Sequence, residues 1–148
     1  MVGILVIAHR PVASALVQAA RHVYSRDPCA ASRQMVAMDV DPESGAASDE
    51  QAAALVERVN QGGGVLVLTD VIGATPGNVA ARLARAGQVA VVAGVNLPML
   101  LRALCYGASN LEELARKALA GGVTGVIELA PPATDQPLVN EAGAPRPS

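Results

Sequence analysis

The chain has 148 residues, 51% of them hydrophobic and 16% charged, with a net charge of −2 and a pI near 5.6. That length and apolar content suit one domain with a sizeable core. A single lysine (Lys117), scattered arginines and only two aromatic residues exclude the basic stripe and stacking platform of a nucleic-acid binder. No uncharged run is long and unbroken enough to span a bilayer.

The elements follow from short aliphatic runs alternating with amphipathic stretches. Val2 to Ala8 reads as a first strand. Pro11 to Tyr24 reads as a helix with Val12, Leu16, Ala19, Ala20 and Val23 on one face, and Pro11 suits its first position. Ser25 to Ser32 is polar and turn-like. Gln34 to Val40 is a shorter strand and Asp41 to Gly45 a loop. Ser48 then starts a helix to Gln61, with Gln51 completing a capping box. Gly62, Gly63 and Gly64 end it. Val65 to Thr69 is a third strand, apolar enough to be covered on both faces.

Asp70 to Ala74 is a loop, with Thr75 as the N-cap of a helix from Pro76 to Ala86. Gly87 closes that helix. Val89 to Ala93 is a fourth strand, Asn96 to Cys105 a helix, and Asn110 caps a helix to Ala120. Gly121 and Gly122 are expected to stop it before a last strand, Val123 to Leu129. The proline-rich residues 131–148 read as a disordered tail.

This order implies an α/β fold: a doubly wound, mostly parallel sheet with helices on both faces. Such sheets function beyond the carboxyl ends of their strands, which selects His9 at the end of strand one and Asp70 at the end of strand three. If those strands are neighbours, the two side chains converge. A carboxylate that accepts from one imidazole nitrogen fixes the tautomer and leaves the other nitrogen free as a nucleophile toward phosphorus.

The stretch "TDVIGATPGN" adds a glycine-bearing turn whose unpaired N–H groups could hold an anion. Many such turns serve packing alone. It is not a Walker loop, because the Gly-Lys-Ser/Thr element is missing. Arg10 could add positive charge or lie in solvent. His22, off the apolar face of its helix, reads as a surface residue; Asp39 and Asp41, near the end of strand two, could reach the site but read as a solvated loop pair. With two histidines and two cysteines, Cys29 and Cys105, at no ligand spacing, no metal site is expected and the thiols read as reduced. Met1 leads straight into a strand with no basic, apolar leader, so a cytoplasmic protein is expected.

Three stretches, "GILVIAHRPVASALVQAA", "VLVLTDVIGATPGNVAARL" and "VVAGVNLPMLLRAL", resemble the signature segments of the mannose-type IIA domain of the bacterial phosphoenolpyruvate-dependent sugar phosphotransferase system. The resemblance covers residues 2 to 129, making 1–130 the IIA domain. It implies that His9 carries the phosphoryl group, that Asp70 orients it, and that Thr75 with the neighbouring amides of Gly73 and Ala74 holds it. Asn96 falls in the site-lining segment. It implies HPr as donor, a IIB domain as acceptor, no cofactor, and a homodimer in which a fifth, antiparallel strand, here Val123 to Leu129, is exchanged. Two departures stand out: Arg10 where the family usually has Gly, and Gly-Ala-Thr-Pro where Gly-Gly-Thr/Ser-Pro is common. Two other functions remain open. One is the phosphoryl-donor subunit of a dihydroxyacetone kinase. The other is a non-catalytic sensor of phosphotransferase-system state.

Overall fold

The computed structural model describes residues 1–43, 45–106 and 109–132. In chain order the elements are β1 (Gly3–His9), α1 (Val12–Val23), α2 (Pro28–Ser32), β2 (Met35–Val40), α3 (Gly45–Val59), β3 (Val65–Thr69), α4 (Thr75–Ala81), β4 (Val89–Ala93), α5 (Leu97–Cys105) and α6 (Leu111–Thr124). The four strands form one parallel sheet in the order β2-β1-β3-β4.

Strand alternation sorts the core into two layers. Ile4, Val6, Ala8, Leu66, Leu68 and Val92 pack with α1, α5 and α6 on one face. Leu5, Ile7, Met38, Val40, Val65 and Val67 pack with α3 and α4 on the other. All five residues of β3 are buried, as expected of a strand covered on both sides. Each such aliphatic side chain stabilises the fold by about 1.5–3 kcal/mol on burial.

Gly3 lets α3 approach β1, because a Cβ there would overlap the Val59 carbonyl oxygen. The apolar face of α1 is Ala13, Val17 and Ala20, whereas Val12 and Val23, expected inside, are exposed. Pro11 occupies the N-cap position rather than the first turn, and Asp39 from β2 supplies the missing cap. Its carboxylate accepts the Ser14 N–H at 3.1 Å and the Ser14 hydroxyl at 2.6 Å.

Four other expectations need correction. Ser25 to Ser32 is not all turn: Asp27 accepts the N–H groups of Cys29 and Ala30 and starts α2, with Pro28 at its head. Ser48 does not cap α3. The helix begins at Gly45, since Ala46 and Ala47 are strong helix formers, and Ser48 is buried within it. Thr75 is the first helical residue of α4 and Ala74 its N-cap; that helix ends at Ala81, not Ala86.

Gly121 and Gly122 do not stop α6 either. They are buried where α6 crosses α5: a Cβ on Gly121 would lie 2.6 Å from the Arg102 Cβ, and one on Gly122 2.6 Å from the Met99 Cε. These glycines are needed for close approach, and the helix runs on to Thr124. Val123 and Thr124 of the expected last strand are therefore helical, residues 126–129 pair with no strand among the described residues of their own chain, and Val123, Val126, Ile127 and Leu129 are exposed. Of the predicted tail, residues 133–148 lie outside the described residues.

Candidate functional site

Strand order 2-1-3-4 places a topological switch between β1 and β3, and the crevice outside their carboxyl ends is where such sheets bind ligands. His9 and Asp70 stand there. β1 and β3 are paired in register from Gly3 with Val65 to Ile7 with Thr69. The Asp70 Oδ2 lies 2.7 Å from the His9 Nδ1 and also accepts the His9 backbone N–H at 3.0 Å. Its Oδ1 accepts the Val71 N–H at 2.9 Å.

Burial by itself would raise the Asp70 pKa. The hydrogen bonds from the His9 N–H, the His9 ring and the Val71 N–H outweigh it and hold the carboxyl below the usual carboxylate range. An ionised carboxylate only accepts, so Nδ1 carries the proton. The Nε2 then keeps its lone pair and bonds no group among the described residues. The imidazole is 41% exposed and the Asp70 side chain 13%. An exposed imidazole is thus held by a largely buried anchor.

His9 shares the parity of Leu5 and Ile7 and faces the α4 side of the sheet. The β3–α4 loop arrives on that side. Gly73 has φ +83°, a left-handed conformation natural to glycine, and Gly77 lets the loop fold tightly because a Cβ would overlap the Val71 carbonyl oxygen. Among the described residues the N–H groups of Gly73, Ala74 and Thr75 donate to no protein acceptor, and the Thr75 hydroxyl makes no hydrogen bond.

Arg10 does not point its Nε toward the loop. That atom donates to Asp41 at 3.1 and 3.2 Å. This hydrogen bond first, and the Asp41 charge second, raise the guanidinium pKa further. Asn96 is committed as well: its Oδ1 accepts the Met99 N–H and caps α5, while its Nδ2 donates to the Gly122 carbonyl and ties α6 to the end of β4. His22 is on the exposed surface of α1, and both cysteines are exposed and free.

Sequence reasoning missed the structural work of Asp39 and Asp41. It also missed Val71 and Ile72, which are exposed in the loop beside Asp70; two apolar residues directly after a strand-end acid were the available signal. Among the described residues no three His, Cys, Asp or Glu side chains gather as a metal site, and no helix is long and apolar enough to cross a membrane.

Residues 3–119 match the family EIIA-man, the PTS system fructose IIA component. The chain belongs to that family. This IIA-family chain is similar to several solved structures. The mannose/sorbose specific IIA subunit of the phosphotransferase system from Enterococcus faecalis is 25% identical over 89% of this chain and 97% of that one, with a TM-score of 0.73. The PTS IIA protein associated with the fucose utilization operon from Streptococcus pneumoniae is 27% identical, covering 85% and 91%, with a TM-score of 0.65. The phosphotransferase system component EIIA from Streptococcus agalactiae, 23% identical over 86% and 97% with a TM-score of 0.69, shares the fold. No curated protein matches the chain significantly. Membership makes the chain a phosphotransferase-system component of the IIA type.

Proposed function

We propose that this IIA-family chain is a cytoplasmic phosphocarrier: His9 accepts a phosphoryl group from phosphorylated HPr and passes it to a IIB domain, in sugar uptake or its regulation. The observation that carries this reading is the 2.7 Å contact between the Asp70 Oδ2 and the His9 Nδ1, which leaves Nε2 as the free nitrogen. In the forward step Nε2 attacks phosphorus and forms the new N–P bond. The donor's N–P bond breaks, and its electron pair returns to the donor imidazole. The His9 ring, now carrying both the phosphoryl group and the Nδ1 proton, is cationic, and the Asp70 carboxylate stabilises that charge.

The N–H groups of Gly73, Ala74 and Thr75, with the Thr75 hydroxyl, are suited to hold the phosphoryl oxygens as charge spreads over them. Arg10 can serve them only through its Nη groups or by leaving Asp41. In the onward step the acceptor nitrogen of the IIB domain attacks phosphorus, the His9 N–P bond breaks, and its electron pair returns to Nε2.

Incubation with phosphoenolpyruvate, Enzyme I and HPr tests the reading. His9→Ala should abolish acid-labile labelling and His22→Ala should retain it; labelling that survives the first substitution rejects His9 as acceptor. We also propose a homodimer in which the part of the expected last strand beyond α6, Val126 to Leu129, pairs with the partner's sheet. The exposed Val126, Ile127 and Leu129 and the position of β4 at the sheet edge support it. Light scattering should give twice the chain mass, and a monomer at micromolar concentration would reject the exchange.

A further inference from the structure

The α5–α6 pair carries a cleft of about 370 Å³, lined by Arg102, Glu113, Arg116, Lys117 and Ala120. None of these residues belongs to β1, β3 or the loop after β3, which build the site around His9. Glu113, Arg116, Lys117 and Ala120 follow one another at helical spacing and share one face of α6. Arg102 joins them from α5. The cleft thus holds three cations against one carboxylate.

Local pairing would ordinarily cancel such charge. Glu112 with Arg116, and Glu113 with Lys117, stand four positions apart with the acid first, the order that favours an ion pair on a helix. Neither pair forms: the ion pairs among the described residues are His9–Asp70, Arg10–Asp41 and Arg82–Asp49. Lys117 is engaged otherwise. Its Nζ lies 4.1 Å from the centre of the Tyr106 ring and donates to the Ser109 hydroxyl at 3.1 Å, which leaves further ammonium donors available. Arg102 is fixed at its base, because its Cβ and Cγ lie against Gly121, where an added Cβ would come within 2.6 and 2.9 Å of them. Two of the three cations are therefore held before a ligand arrives, which lowers the ordering cost of binding.

The excess of two positive charges matches a phosphomonoester, which carries close to two negative charges at neutral pH, and guanidinium forks suit its oxygens. Glu113 adds a second requirement. A carboxylate accepts from hydroxyl groups and gains nothing from a bare phosphate. The volume also falls in the range of small-molecule sites. We infer that the α5–α6 cleft binds a hydroxylated phosphomonoester the size of a sugar phosphate, with Arg102, Arg116 and Lys117 on the phosphate and Glu113 accepting from its hydroxyls. This site stands apart from the reading of His9 as acceptor.

The test titrates the ¹⁵N-labelled full chain with glucose 6-phosphate and follows backbone amide shifts. Saturable shifts should centre on Arg102, Arg116, Lys117 and Ala120, with a Kd at or below about 1 mM. Glucose should give none at the same concentrations, and inorganic phosphate should bind about tenfold or more weakly. Arg102→Ala combined with Arg116→Ala should weaken glucose 6-phosphate about tenfold or more, the loss expected when charge-assisted hydrogen bonds are removed. Glu113→Ala should narrow the preference for glucose 6-phosphate over inorganic phosphate. His9→Ala should bind as wild type does. No saturable shift in the wild type, or an unchanged affinity in the double variant, overturns the site. Shifts confined to residues 73–75, or lost in His9→Ala, overturn it by returning the ligand to the loop beside His9. Equal affinities for inorganic phosphate and glucose 6-phosphate overturn the role of Glu113. A changed oligomeric mass in the double variant overturns the site by assigning its cations to a second copy.

Discussion

Asp70→Asn is the substitution that isolates the carboxylate's charge from its shape. In the wild type one oxygen accepts twice from His9, at 2.7 and 3.0 Å, and the other accepts the Val71 N–H at 2.9 Å. An asparagine has one carbonyl oxygen. If that oxygen stays on His9, the new NH2 group faces the exposed Val71 N–H, which water can satisfy, so the fold tolerates the change. What is lost is the charge opposite the phosphorylated, cationic ring. Hydrogen bonds to charged groups contribute about 1.5–3 kcal/mol, which corresponds to about a ten- to 150-fold fall in the rate of phosphoryl transfer. The assay is rapid-quench labelling by phospho-HPr, read as kcat/KM. A rate within twofold of wild type would refute the argument, for it would mean that the carboxylate only positions the ring.

An internal check comes from pH. The Asp70 pKa is lower in the folded chain than the ordinary carboxylate value. Its contribution to stability is therefore fully present above the ordinary carboxylate range and is lost as pH falls through the lowered folded value. The stability of wild type over Asp70→Asn should shrink on acidification and not on alkalinisation.

Two other substitutions test the packing. Gly121→Ala gains about 1 kcal/mol of helix propensity but forces a methyl against the Arg102 Cβ, an overpacking cost of about 1–3 kcal/mol; urea denaturation should show net destabilisation, and a stabilised variant would contradict the close α5–α6 approach. Arg33 is 2% exposed, donates its Nη1 to the Ala103 carbonyl, and has no partner for Nε or Nη2 among the described residues; burial lowers its pKa. Arg33→Met should leave stability unchanged or raise it by about 1 kcal/mol, since apolar replacements of buried charges often do so. A loss above about 2 kcal/mol, a large effect for a single site, would show that the cation holds the end of α5.

Much of the sheet was legible because parallel strands buried on both faces leave uninterrupted aliphatic runs: Val65–Thr69 and Val89–Ala93 were bounded to the residue. The neighbourhood of His9 and Asp70 was legible from the rule that function gathers at strand ends. The asparagine cap at Asn110 was a local signal and formed as read; Asn96, read as the first residue of its helix, is instead its N-cap. Asp27-Pro28 was an equally local helix start, obscured by the polar residues around it. Other features depended on what stands across the fold. Gly121 and Gly122 look like stop signals in sequence, and only the presence of Arg102 and Met99 opposite them makes them contact residues. Asp39 with Ser14 and Arg10 with Asp41 depend on the β1–β2 register, from Ile4 with Met35 to His9 with Val40, which no local pattern specifies.

The strand order also governs when the reactive pair comes into being. Every neighbouring pair in the sheet is joined through a helix, so none can zip up as a hairpin, and such non-local topologies close slowly. His9 leaves the ribosome 61 residues ahead of its carboxylate. An emerging chain therefore holds its imidazole unoriented until β3 has docked beside β1. Nascent or partly folded copies would thus be poor competitors for the cell's phosphoryl supply.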